Sequence, residues 1–298
     1  MDAVNDLRAT GTTGAATEVV GRFAAPASAP SAPVWLAPLS LARRELVRFL
    51  RQRHRVIGAL ATPVVFWLLV GAGMGRSFQA SGLPDGENYL QYFFPGTVLM
   101  ILLFTAIFST ISIIEDRREG FLQSVLVAPV PRSAIVLGKV LGGTVLAFGQ
   151  AVLFLLLGPL VGVRPSPAGA ALALGLMALI ALALAALGFC IAWRMSSTQG
   201  FHAVMNLFLM PMWFLSGALF PVHNASAPLR WVMRLNPLTY GLGGLRRALY
   251  LGTPGDAPTG GLITNEITVA FIVTAAFAAV MLALGAAVAR APVAGDLQ

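Results

Sequence analysis

The sequence predicts an all-α, polytopic membrane protein with six transmembrane helices, an amphipathic interfacial helix before the first span and short outer helices before the last. Two observations carry that expectation. Only 11% of the 298 residues are charged and 57% are hydrophobic, giving a mean hydropathy of +0.80, whereas soluble domains carry about 25% charged residues. The apolar residues also fall into separate runs of roughly the 20 residues that cross a hydrocarbon core.

Residues 1–38, rich in Ala, Pro, Thr and Ser, lack the continuous apolar core of a secretory signal and read as a disordered cytoplasmic tail. The domain proper covers 39–290. Its first part, 39–55, "LSLARRELVRFLRQRHR", sets Leu39, Leu46, Phe49 and Leu50 among six Arg residues, with Ser40 available as an N-cap. That is the pattern of a helix lying on a membrane surface; a purely solvated charged helix is the alternative. Six spans follow, approximately Val56 to Met74, Tyr92 to Ile114, Ile135 to Leu157, Ala168 to Ala192, His202 to Pro221 and Ile267 to Ala289. Pro63, Pro95 and Pro211 are expected at kinks or frayed ends. Residues 291–298 form a second cytoplasmic tail.

Orientation follows from the basic residues. Counted over the joining segments with the N-terminus inside, twelve Arg and Lys fall on the inner side (six between Arg43 and Arg55, then Arg117, Arg118, Arg132, Lys139, Arg194 and Arg290). Six fall outside: Arg76, Arg164, Arg230, Arg234, Arg246 and Arg247. Both termini are therefore expected in the cytoplasm. The outer exceptions concentrate in "LRWVMRLNPLTYGLGGLRRALY". There, Leu229, Trp231, Val232 and Leu235 make one short amphipathic helix, Asn236-Pro237 interrupts it, and Leu238, Leu242, Leu245 and Leu249 make a second. These helices are expected to dip into or lie on the outer interface, with Arg side chains reaching outward and Trp231, Tyr240 and Tyr250 at headgroup depth. A covered surface loop is the alternative.

A net charge of +8 does not make this a nucleic-acid binder, because the Arg residues sit between apolar runs and form no basic domain. The single cysteine, Cys190, excludes an internal disulfide and supplies no metal cluster. No phosphate-binding loop is present: Gly138-Lys139 lacks both the preceding glycine spacing and the following hydroxyl residue. The apolar cores contain no Asp, Glu or interior His suited to a proton relay. Among polar residues inside spans, Gln150 and Asn206 either bond across helices or face a substrate path. Met210, Trp213 and Phe214 give the fifth span an adaptable apolar surface, suited equally to a lipid or drug path and to dimer packing.

The most charged stretch, "EDRREGFLQSVLVAPVPRSAIVLGK", lies between spans two and three, so residues 115–134 are expected on the cytoplasmic side. A charged helix end, Gly120, an apolar strip (Phe121, Leu122, Val125, Leu126, Val127) and two turn-forming prolines suit docking in a partner's groove; an interfacial helix held by lipid is the alternative. The same stretch resembles the motif after the second span in permease subunits of type-2 ATP-binding-cassette exporters. "FLMPMWFLSGALFPV", continued by "LNPLTYGLGGLRRALY", is similar to a second motif of that family.

The resemblance covers about Leu39 to Arg290. It implies a non-enzymatic permease subunit, the membrane half of an ATP-driven exporter of a hydrophobic or amphipathic substrate such as a drug, lipid or lipid-linked glycan. ATP and Mg would belong to a separate ATPase subunit, and a second permease copy or similar permease would complete the pathway in a bacterial or archaeal plasma membrane. It also implies that Glu115, Arg117, Arg118, Glu119 and Gly120 couple to that ATPase. An ion-coupled secondary transporter and a non-transport membrane scaffold are the competing readings.

Overall fold

The computed structural model describes residues 35–74, 89–127, 131–222, 225–251 and 266–290. Most of the N-terminal tail, the C-terminal tail, Arg76, Pro129, His223 and residues 252–265 lie outside the described residues. Among the described residues the secondary structure is entirely helical. In chain order the helices are α1 (Leu36–Arg51), α2 (Arg53–Met74), α3 (Tyr89–Ser109), α4 (Ile111–Arg118), α5 (Phe121–Val127) and α6 (Arg132–Leu155). A 3-10 turn (Gly158–Val161) precedes α7 (Pro167–Ala192), α8 (Thr198–Phe214), α9 (Ala227–Leu235), α10 (Pro237–Leu249) and α11 (Ile267–Arg290).

Among the described residues, five segments are long and apolar enough to cross a membrane: Val56–Met74, Tyr89–Arg118, Arg132–Leu155, Pro167–Ala192 and Ile267–Arg290. The expected fifth span is α8, a helix of 17 residues, about 26 Å long against a hydrocarbon core of about 30 Å. Its limits have local causes. Ser197 caps the start, its Oγ accepting from the Gly200 amide at 3.2 Å. Past the helix, Gly217 turns the chain at φ +86, a left-handed conformation that favours glycine.

Helix α3 is the centre of the bundle, packed against α2, α6, α7 and α10. Phe93, Phe94, Leu99, Ile101 and Leu102 on it are fully buried. Near its end the Ser109 and Thr110 hydroxyls bond back to the carbonyls of Ala106 and Ile107, at 2.7 and 2.6 Å. Such back-bonding loosens a helix, and here it separates apolar α3 from charged α4. Helices α2 and α11 stand at the periphery. Aromatic contacts fix α2: Trp67 meets Phe154 edge-on at 5.4 Å and Phe66 meets Trp213 at 5.9 Å. The helices run through Pro63, Pro95 and Pro211.

The short helices divide in an unexpected way. On α9, Trp231, Val232 and Leu235 are exposed, as an interfacial helix requires. Helix α10 is instead packed inside, against α7 and α11, with Leu238, Leu242, Leu245 and Leu249 all buried. Its glycines permit this, since a Cβ on Gly244 would come within 2.5 Å of the Ala270 Cβ. Tyr250 is consequently buried against the protein, donating to the Gln91 carbonyl at 3.0 Å. Arg246 also turns inward: it donates to the Gly217 carbonyl at 2.9 Å and lies 4.1 Å from the Tyr92 ring centroid.

The N-cap expected at Ser40 falls inside α1, where its hydroxyl bonds the Ala37 carbonyl at 2.9 Å. One side of α1 lies on α6, and Leu39 and Leu50 are exposed. Contact with α6 is close because Gly138 and Gly142 are one turn apart. A Cβ on them would come within 2.7 Å of the Leu41 Cβ and 2.9 Å of the Glu45 Cβ respectively.

Candidate coupling platform and transport cleft

Helices α1, α4 and α6 meet in a cluster of seven charged side chains. Residues Arg44, Glu45 and Arg48 share one side of α1 through their near-helical spacing. Arg44 holds Asp116 on α4 bidentately, at 2.9 and 2.9 Å, and Arg48 adds a third bond at 2.9 Å. Lys139 on α6 donates to Asp116 as well. It also donates to Glu45 at 2.5 Å and to the Ser112 hydroxyl at 3.2 Å. Arg48 further reaches Glu115 at 3.1 Å and Glu119 at 3.2 Å.

Asp116, Lys139 and Glu45 are only 0%, 4% and 6% exposed, so the cluster is a packed junction in place of a solvated flank. Its charges are mutually compensated, the condition under which buried ions are tolerated. Hydrogen bonding to Asp116 raises the pKa of Arg44 above its ordinary value, outweighing the opposing effect of burial. Its guanidinium also caps the Phe121 ring at 3.6 Å.

The neighbouring arginines bind a different element. Arg117 donates to the Trp193 carbonyl at 2.6 Å and the Met195 carbonyl at 3.3 Å, and Arg118 donates to the Ser196 carbonyl at 2.8 Å. These carbonyls lie at the C-terminal end of α7 and just before α8, where cations are favoured.

Among the five residues expected to couple, Glu115, Arg117 and Arg118 thus bind within the chain. Glu119 has a side chain 59% exposed, and Gly120 makes the α4–α5 turn at φ +75. Beyond it, Leu122 is buried while Gln123, Ser124 and Val127 are exposed, Val127 at 88%. Sequence reasoning missed Asp116, Lys139, Arg44, Glu45 and Arg48 as one unit. A lysine beside an apolar span was the available signal, since an ion at such a place calls for a partner.

A cleft of about 690 Å³ lies between α2, α3 and α8. Its walls are Phe66 and Pro63 from α2, Met100, Phe104, Thr105 and Phe108 from α3, and Met210, Trp213 and Phe214 from α8. At the end nearest the charged cluster it is lined by Ser109, Glu115, Thr198 and His202, the His202 ring 4.9 Å from that of Phe108. Met210, Trp213 and Phe214 therefore meet in one place. Gln150 joins them indirectly, accepting at 2.5 Å from the Thr105 hydroxyl. Asn206 does not: it lies on the exposed side of α8 with Leu207 and Phe208.

Helix α8 is tied at both ends. The Arg118 bond to Ser196 holds the approach to one end. At the other, Asn236 donates to the Met212 carbonyl at 2.6 Å and Thr239 to the Leu215 carbonyl at 3.1 Å. Cys190 is half-buried, donating to the Met281 carbonyl at 3.4 Å. The described residues contain no group of three or more His, Cys, Asp or Glu placed to hold a metal.

A family model described as ABC-2 type transporter matches residues 39–250, a range that contains both the charged junction and the cleft. The chain belongs to the ABC-2 type transporter family. It is 28% identical over 203 residues to the transport permease ycf38 of Cyanophora paradoxa, covering 67% of this chain and 69% of that protein. Nodulation protein J of Rhizobium meliloti is 28% identical over 207 residues, 67% of this chain and 75% of its own. The multidrug ABC transporter permease YbhR of Escherichia coli K12 is 27% identical over 154 residues, 51% of this chain and 42% of its own. This ABC-2 protein is thus a multi-pass membrane permease, a transporter component.

Proposed function

We propose that this chain is the permease subunit of an ATP-driven exporter and that the α2–α3–α8 cleft is its share of a pathway for hydrophobic or amphipathic molecules. ATP and Mg are bound by a separate ATPase subunit. That subunit docks at α4–α5, on the cytoplasmic side with both termini, and a second permease copy packs against the exposed apolar side of α8. The setting is a bacterial or archaeal plasma membrane.

Glu115 carries the reading. It lines one end of the apolar cleft and also pairs with Arg48 in the junction that seats α4. A push on α4–α5 therefore acts on the cleft lining through one short, charged helix. Arg117 and Arg118 pass the same push to α7 and α8. The surface left for the ATPase is Glu119, Gln123, Ser124 and Val127.

The test uses the reconstituted permease and ATPase. Glu119→Lys is expected to weaken association, and Gly120→Val to preserve insertion while impairing substrate-stimulated ATP hydrolysis, because valine opposes φ +75. Normal association, hydrolysis and transport in both variants would refute the docking assignment.

A further inference from the structure

One carboxylate faces the cleft. On the near-continuous α3–α4 run, Met100, Phe104, Phe108, Ile111 and Glu115 recur at intervals of four, four, three and four residues, which is a single helical face. All five line the cleft, so an apolar, largely aromatic stripe ends in a charge about 10 Å of helix rise beyond Phe108. Among the described residues Glu115 is the one formally charged side chain on the cleft wall, and with 31% of that side chain exposed it is reachable. Its hold on the junction is loose. The buried heart of the junction is compensated, but over the whole cluster three cations (Arg44, Arg48 and Lys139) meet four carboxylates (Glu45, Glu115, Asp116 and Glu119). Arg48 Nη1 is committed to Asp116, and Nη2 alone serves both Glu115 at 3.1 Å and Glu119 at 3.2 Å. Arg117 and Arg118 bring no relief, because they are turned to the carbonyls between α7 and α8. A pair as exposed as Arg48–Glu115 contributes little, so a second cation can take the carboxylate at small cost.

Resting on the pathway reading above, we infer that Glu115 is the counter-ion for an amphipathic cation, a molecule whose apolar body lies along the Phe104–Phe108 stripe and whose ammonium group takes the place of Arg48. The rings of Phe66, Phe104, Phe108 and Trp213 suit an aromatic body, and a ring face near the charged end adds its own attraction for an ammonium. The hydroxyl-bearing Ser109 and Thr198 line the same end of the cleft and offer oxygen acceptors to the N–H groups of a primary amine. A molecule with an anionic head meets the Glu115 carboxylate instead, a like-charge contact that selects against it.

The experiment compares three tritiated probes of closely similar shape: biphenylmethyl-trimethylammonium, its neutral carbon isostere neopentylbiphenyl, and biphenylmethanesulfonate. Each is titrated at pH 8 by equilibrium dialysis against the full chain in phosphatidylcholine nanodiscs. Empty nanodiscs give the partition into lipid, and affinities are referred to the concentration of each probe in the lipid. The cation is expected to bind about 5- to 10-fold more tightly than the neutral isostere, the effect of a partly exposed charge pair and one ring contact, and the sulfonate more weakly than either. Glu115→Gln should bring the cation to the level of the neutral probe, whose own affinity is kept and reports an intact cleft. Arg48→Gln removes the competing guanidinium while Asp116 keeps Arg44 and Lys139, and it should widen the preference about 2- to 5-fold. Equal affinities for cation and isostere in the unaltered protein overturn the inference while leaving the cleft reading intact, and need no variant to fold. A preference that survives in Glu115→Gln, or that fails to widen in Arg48→Gln, overturns it likewise. Phe108→Ala should weaken all three probes; if it weakens none, or if no probe binds saturably, the pathway reading fails and this inference fails with it.

Discussion

Replacing Lys139 with methionine tests whether the charged junction holds α1 onto the bundle. The substitution preserves most of the side-chain volume and removes the ammonium that Asp116 and Glu45 share. Breaking a buried ion pair by deleting one partner costs about 3–5 kcal/mol. Asp116 keeps its three bonds to Arg44 and Arg48, while Glu45 keeps only a 3.4 Å contact with Arg44. The lower bound, about 3 kcal/mol, is therefore the appropriate figure, and it falls mainly on the α1–α6 contact. At about 1.4 kcal/mol per tenfold, the population with α1 undocked rises roughly 100-fold.

The readout is a cysteine at Ala42, whose Cα lies 3.5 Å from where a Cβ on Gly142 would be, in a Cys190→Ala background. A thiol reagent should label it about 100-fold faster in Lys139→Met. Adding Glu45→Gln should recover part of the protection, because the neutral amide no longer needs the ammonium. Unchanged labelling in a properly inserted Lys139→Met protein would refute the argument that this junction seats α1.

Gly142→Leu attacks the same contact sterically, since even a Cβ would sit 2.9 Å from that of Glu45; it should speed Ala42→Cys labelling with every charge still in place, and normal protection would mean that α1 accommodates the side chain by a shift. Single cysteines at Ser124 and Thr259 should label from opposite sides in oriented membranes, and labelling from one side would reject the six-span topology.

The long apolar runs made the helices legible, because a bilayer demands length and hydropathy that few other structures need. The Asn236-Pro237 break between α9 and α10 was equally plain, as was the turn at Gly120. What was not legible was direction. "EDRREG" reads as a charged helix end offered to a partner, yet Asp116 points into the bundle toward partners 68 to 72 residues away in sequence, a pairing that no local pattern encodes. The burial of α10 was hidden for a related reason: its Arg246 and Arg247 suggest a surface, and only the close approach of Ala270 to Gly244 reveals a helix drawn inside. Of the cleft, the aromatic and methionine lining was visible as composition on α8, whereas its meeting with Phe66 and Phe104 depends on tertiary packing.

The two tethers on α8 have a mechanical consequence. A bar clamped at both ends cannot swing like a door; it yields by flexing between the clamps. Pro211 supplies no amide hydrogen to the carbonyl of Leu207, one turn earlier, so the weakest stretch of the bar lies beside Met210, which lines the cleft. If the cleft is the pathway proposed above, its aperture follows the stiffness of that single turn.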